Sequence, residues 1–350
     1  MKSLSTRLLG CGLLAICFLG LSRCDDWLLG TDPQHAPLAI FDRFWEDIDR
    51  YYSHFPLKEV DWRDVRAELR PEASRATTEA ELFDLLCSMV VRLRDGHVNL
   101  YAQEPLRTCG YEGWYAGYPH NFSPAIIREG YLRDEAGTAG QGRYTYGHLE
   151  PNIGYIHISR FEGTGWVEDV DLVLAELQPL DALVLDVRDN GGGSSNNADA
   201  LAGRFADQRH VHSYVQYRSG PAHDDFTAPA ARYVEPAGIE TFAGPVAVLT
   251  NRRCFSACES FLLAMDALPN TTVVGDTTGG GLGNPLYREL QNGWSFRVPV
   301  WLQTTPEGKA LEGTGFPPHH PVHMTDADRE QDRDTILDTA LEVLTTMLQP

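Results

Sequence analysis

Three side chains far apart in the chain have the types that acyl transfer requires: a hydroxyl at Ser256, an imidazole at His97 and a carboxylate at Glu312. Nucleophile, general base and orienting acid are the three roles of that chemistry. Ser256 stands where the apolar run 245–250 (PVAVLT) turns through 251–255 into the helix-like segment 257–265 (ACESFLLAM). A hydroxyl there sits at the carboxyl edge of a strand, facing the unsatisfied N–H groups of a helix start. The competing reading is a plain capping box, since Ser256 is followed three residues later by Glu259 and then by apolar residues.

A second apolar run, 182–188, ends in Asp189, Asn190, Gly191, Gly192, Gly193 and Ser194. Successive glycines let backbone N–H groups approach a ligand closely. A dinucleotide loop would need glycine where Asn196 stands, and no G-K-[ST] follows, so the run is read as half of an oxyanion hole. The N–H groups of Gly193 and Ala257 are the candidate donors, with Gly192 a neighbouring candidate. His97 lies in 93–98 (LRDGHV), after an amphipathic stretch 79–92, and Glu312 lies in a tight Gly/Pro turn, 311–318 (LEGTGFPP). Either one alone reads as a structural histidine or a solvated glutamate. Together with Ser256 they complete the set.

From Phe41 to about Val322 the chain resembles the serine peptidases that include the tail-specific C-terminal processing peptidases, the tricorn protease core and interphotoreceptor retinoid-binding protein. The matching stretches, in order, are 40–62, Arg94 to His97, Asp186 to Gly193, Ser256 to Glu259, Val274 to Thr277 and Leu311 to Gly315. Processing peptidases of this group use a Ser/Lys dyad, but the position of that lysine is Gly281 here. They also carry a PDZ domain, for which only Leu100 to Asn152 would be available. Both departures point to the tricorn-like branch. The resemblance implies Ser256 as nucleophile, His97 as base and Glu312 as the acid that orients it. Lys309 is the lysine nearest to Glu312 in sequence and is expected to be solvated. A histidine base predicts activity that rises from mildly acidic to neutral pH.

The elements that must position these groups read as an α/β fold, a mainly parallel sheet flanked by helices behind an N-terminal helical domain. A ClpP/crotonase-like core is what the resemblance implies. Phe41, Phe44, Trp45, Ile48 and Tyr51 recur at helical spacing, as do Leu82, Leu85, Leu86, Met89 and Val90. Strand and helix then alternate: strands at 153–158, 182–187, 246–250 and 272–275, helices at 166–177, 196–205 and 256–267. Asn292 and Gly293 between two apolar segments predict a hairpin, and a final helix is expected over Asp328 to Leu348. The expected division is a leader over 1–23, a linker over 24–38, a helical domain over 39–105, a small strand-rich region over 106–150 and a catalytic α/β domain over 151–350.

Lys2 and Arg7 precede the apolar stretch 8–21, too short to span a bilayer comfortably, so the segment reads as a cleaved export signal. Leu21, Ser22, Arg23 and Cys24 resemble a bacterial lipobox, apart from the arginine. This predicts a lipidated Cys24 and a cell-envelope lipoprotein in the periplasm or outer membrane, with ordinary cleavage nearby as the alternative. Cys87, Cys109, Cys254 and Cys258 remain, an even number in a compartment that permits disulfides. Three pairings are formally possible; a Cys254–Cys258 bridge would stiffen the turn at Ser256, and four reduced thiols are the alternative. His319, His320 and His323 read as a solvated cluster in a Pro-rich loop rather than a metal site. A net charge of −20 over 350 residues opposes nucleic acid or an anionic membrane surface as partners.

The expected function is hydrolysis of peptides or unfolded protein segments, endo- or carboxypeptidic, without metal or organic cofactor. Two rivals share the fold: a non-catalytic carrier of hydrophobic ligands, and an esterase with the same machinery.

Overall fold

The computed structural model describes residues 36–103, 106–118, 120–164 and 167–349. The expected leader, Cys24 and most of the linker lie outside them. Helix α1 (Pro37–Tyr51) buries Ile40, Phe41, Phe44, Trp45 and Ile48 along one face. Helix α2 (Trp62–Ala73) starts where the Asp61 side chain accepts the N–H groups of Arg63 and Asp64. The two helices are tied reciprocally, Trp45 Nε1 donating to the Trp62 carbonyl at 2.8 Å and Trp62 Nε1 to the Trp45 carbonyl at 3.1 Å. Helix α3 (Glu79–Arg92) begins with the Thr78/Glu81 capping box and buries Leu82, Phe83, Leu85, Leu86, Met89 and Val90. It ends just before Arg94, whose φ of 49° turns the chain toward His97. Strands β1 (Asn99–Ala102) and β2 (Arg107–Gly110) follow as an antiparallel pair. A Cys87–Cys109 disulfide clips β2 to α3, while Cys254 and Cys258 stay as buried thiols, so the bridge considered across Ser256 does not form.

Strands β3 (Gly137–Ala139), β4 (Tyr144–Glu150) and β5 (Ile153–Ile158) lead into the α/β core, where helix α4 (Val167–Glu176) precedes β6 (Ala182–Asp186) and helix α5 (Ser195–Ala202) follows it. Next come β7 (His210–Tyr217), β8 (Ala230–Val234), β9 (Val246–Thr250), helix α6 (Ala257–Asp266) and β10 (Thr271–Gly275). Every residue of β6 and β9 is buried, as expected of strands covered on both faces. The two pair in parallel, Leu185 opposite Val248 and Asp186 opposite Leu249, so the loops leaving them emerge side by side. That adjacency creates the site.

Strands β11 (Pro285–Glu289) and β12 (Ser295–Pro299) form the hairpin expected around Gly293, whose φ is 79°. β12 then pairs with β1, giving a four-stranded antiparallel sheet β11-β12-β1-β2 whose Phe296 and Val298 share a core with α1 and α3. Strand β13 (Trp301–Thr304) joins β7 and β8 in a third sheet, and β14 (His320–Pro321) completes the central one in the order β14-β10-β9-β6-β5-β4-β3. Within 106–150, β2 belongs to the four-stranded sheet and β3 and β4 extend the central one. The expected last helix is broken: a short turn over Asp326–Glu330 ends near Asp332, which adopts φ 53°, and helix α7 (Thr335–Met347) restarts with the Asp334 side chain accepting from Leu337 N–H. Among the described residues no helix is long and apolar enough to cross a membrane.

Candidate active site

The loops after β6 and β9 are clamped by Asn190, whose Nδ2 donates to the Ile158 carbonyl at 2.9 Å and whose own carbonyl accepts from Phe255 N–H at 3.1 Å. Ser256 sits between them with φ 60° and ψ −122°, a conformation that costs a non-glycine residue on the order of 1–3 kcal/mol. Its hydroxyl makes no side-chain cap to α6 and instead lies 2.9 Å from His97 Nε2. Ser256 thus keeps the position of a capping box, with the Glu259 N–H taken by its backbone carbonyl at 2.9 Å and its hydroxyl within reach of the base. Glu259 retains its half, accepting from Ser256 N–H at 3.3 Å.

Ala257 is the first residue of α6, so its N–H has no acceptor within the helix. The bridge between Phe161 and Gly193 uses the Gly192 carbonyl and the Ser194 N–H, which leaves the Gly193 N–H outside it. Both candidate donors border the same recess as Ser256. Gly192 needs correcting: its N–H is spent on Asn190 Oδ1 at 2.9 Å. It is glycine for a steric reason, because a Cβ would lie 2.6 Å from the Phe255 carbonyl oxygen and 2.8 Å from Ala257 N.

His97 is buried between the two halves of the molecule, its ring 4.7 Å from that of Phe255, which stacks in turn on Trp114 at 4.2 Å. Burial pulls its pKa down to about 3, against an upward pull from Asp95, so the imidazole is neutral and able to accept a proton at neutral pH. Gly96 admits this stack, since a Cβ there would fall 2.7 Å from the Trp114 ring nitrogen.

Glu312 does not hold His97 directly. Its Oε1 accepts from Lys58 Nζ at 2.8 Å, its Oε2 accepts from Leu282 N–H at 3.3 Å, and His54 Nδ1 is 3.6 Å away. The carboxylate nearest the base in sequence is Asp95, whose Oδ1 accepts the His97 backbone N–H at 2.8 Å and whose Oδ2 takes Tyr52 Oη and His54 Nδ1 at 2.9 Å each. His97 Nδ1 is buried with no hydrogen-bond partner among the described residues.

His54, Lys58, Asp95 and Glu312 balance in charge. His54 Nε2 faces the Trp301 carbonyl at 3.2 Å while Nδ1 faces two carboxylates, a setting that suits a doubly protonated ring. Burial works against that charge, but Glu312 and Asp95 outweigh it and raise the His54 pKa. Lys58 is likewise raised, burial being outweighed chiefly by Glu312. For Glu312 burial and then Asp95 prevail over His54 and Lys58, so its pKa is raised. Asp95 is held well below the usual carboxylate range: burial pushes up, and the His54 hydrogen bond with the nearby positive charges more than offsets it.

His54, Asp95 and Glu312 are close enough to share a cation, yet the Lys58 ammonium already occupies Glu312, which disfavours a metal there. His319 pairs with Asp266 at 2.9 Å and His323 with Asp276 at 3.4 Å, so the loop histidines face separate carboxylates. Sequence reasoning missed His54, Lys58 and Trp114. No local pattern marks them, because each acts on residues brought near only by the tertiary fold.

Residues 152–322 match peptidase family S41 and residues 33–90 match the tricorn protease C1 domain. A crystal structure from Parabacteroides merdae ATCC 43184, provisionally called a peptidase, is 36% identical with a TM-score of 0.81, covering 88% of this chain and 96% of that one. The tail-specific protease of Haemophilus influenzae is 33% identical over 132 residues, 37% of this chain and 17% of its own length. The carboxy-terminal processing protease CtpA of Bacillus subtilis is 26% identical over 176 residues, 50% of this chain and 36% of its own length. This chain thus spans about a sixth and about a third of these two curated relatives. With the P. merdae match extending over nearly the whole of both chains, the protein belongs to peptidase family S41.

Proposed function

We propose that this chain is a serine peptidase hydrolysing peptides or unfolded protein segments, with Ser256 as nucleophile and His97 as general base. The observation that carries the reading is the 2.9 Å approach of Ser256 Oγ to a buried histidine, on a strained turn beside the Gly193 and Ala257 N–H groups. In the proposed reaction His97 Nε2 takes the Ser256 proton as Oγ attacks the scissile carbonyl, and the two N–H groups receive the oxyanion. His97 then passes the proton to the leaving amine, and water releases the acyl group by the reverse sequence.

Glu312 acts in this scheme without touching the imidazole. It pins Leu282 and pairs with Lys58, while Asp95 supplies the negative potential that His97 meets as it becomes positive. The recess beside Ser256 is lined by glycines, serines, Asn284 and Gln303 as well as Leu282 and Trp301, a poor match for a carrier of hydrophobic ligands. We further propose export and anchoring through Cys24; the Cys87–Cys109 disulfide supports an oxidising compartment. Profiling wild type and Ser256→Ala against a peptide library tests the activity, and cleavage by the alanine variant at the wild-type rate would overturn it. Mass spectrometry of the mature N-terminus tests the anchor, an unmodified product ruling it out.

A further inference from the structure

The recess beside Ser256 has its own chemistry. Its border includes both oxyanion donors but not His97. The leaving amine must sit at His97 to receive the proton, so the recess lies on the acyl side of the bond being cut. Its wall carries no Asp, Glu, Lys or Arg.

Three buried side chains contribute to its polar lining. Ser260 Oγ donates to Gln303 Oε1 at 3.3 Å, and Gln303 Nε2 donates to Ser213 Oγ at 2.9 Å. Ser260 and Gln303 are 2% and 1% exposed, so this chain of bonds is fixed and solvent-free. Ser260 Oγ keeps lone pairs to accept with. The third is Trp301, whose backbone carbonyl is pinned by Ser53 Oγ at 2.7 Å and His54 Nε2 at 3.2 Å. Its indole Nε1 is buried without a hydrogen-bond partner among the described residues. A buried N–H left unpaired is destabilising, and an acceptor on a bound substrate would recover that loss.

Building on the proposed peptidase activity, we infer that this recess is the specificity pocket for the residue on the acyl side of the scissile bond, and that it selects a small neutral side chain bearing a hydroxyl. Such a group accepts from Trp301 Nε1 and donates to Ser260 Oγ. An acid finds no cation on the wall, and a hydrocarbon of the same shape leaves the indole N–H unpaired.

Threonine and valine are nearly isosteric, so they separate polarity from size. Peptides identical except for Thr, Ser, Val, Phe or Lys at that position should show kcat/KM about tenfold higher for Thr than for Val in wild type. Trp301→Phe keeps an aromatic ring, though a smaller one, and removes the N–H, and should bring the two within about twofold; Ser260→Ala should narrow the ratio in part. Thermal melting identifies a variant that has not folded, and the wild-type ratio is decisive without either variant. Valine cleaved as well as threonine by wild type overturns the inference, as does an unchanged ratio in a folded Trp301→Phe. Protein that labels at Ser256 with a fluorophosphonate yet cleaves none of the series also overturns it. Protein that neither labels nor cleaves overturns the peptidase reading and the pocket assignment with it.

Discussion

Ser256 is held at φ 60° although it carries a side chain, and its hydroxyl is turned to His97 rather than to the helix. Replacement by glycine should relieve strain, raising stability by about 1 kcal/mol, while alanine should leave it nearly unchanged because no cap is lost. Both should be inactive. Thermal denaturation separates this from a capping role, in which alanine would destabilise by about 1 kcal/mol. The sequence showed which residue types converge, but not who holds Glu312. Its partner is Lys58, 254 positions away, rather than the nearby Lys309. Lys58 is raised by its carboxylate neighbours and stays an ammonium, so it is no candidate base.

At the scale of the elements, the fully buried runs of β6 and β9 and the Gly293 hairpin were legible because burial and turn chemistry are local. The β1–β12 pairing was not, since nothing local links Leu100 to Phe296. The loop after β10 shows why the dyad lysine is missing. Glu259, buried at the start of α6, accepts the N–H groups of Gly280 at 2.8 Å and Gly281 at 2.6 Å. A Cβ on Gly281 would then lie 2.1 Å from the Phe255 ring. Gly281→Lys should therefore not restore a Ser/Lys dyad. We expect it to lower the melting temperature and cut turnover at least tenfold by displacing Phe255 from His97. An active, equally stable Gly281→Lys would show that the aromatic stack is dispensable.

Across the whole molecule, the charged cluster joins the helical half, through His54, Lys58 and Asp95, to the α/β half, through Glu312. His54 has its folded pKa raised above 6.5, so its contribution to stability is complete below that value and is lost as pH rises through the folded pKa. Urea midpoints should fall in wild type as pH rises from about 6.5 through the raised folded pKa. The fall should be shallower in His54→Gln, and an identical slope in the two proteins would exclude His54 as its source.

The most direct test of the Ser256–His97 assignment is the rate at which a fluorophosphonate acylates Ser256 as a function of pH. An imidazole at its ordinary pKa of 6.5 would give an acid limb there, the mildly acidic rise expected from sequence, but burial moves His97 down to about 3. The account predicts a rate that is flat from about pH 8 to about pH 5.5, abolished in His97→Ala and retained in Lys309→Ala. Labelling of His97→Ala at the wild-type rate, or an acid limb at or above the ordinary histidine value, would contradict it.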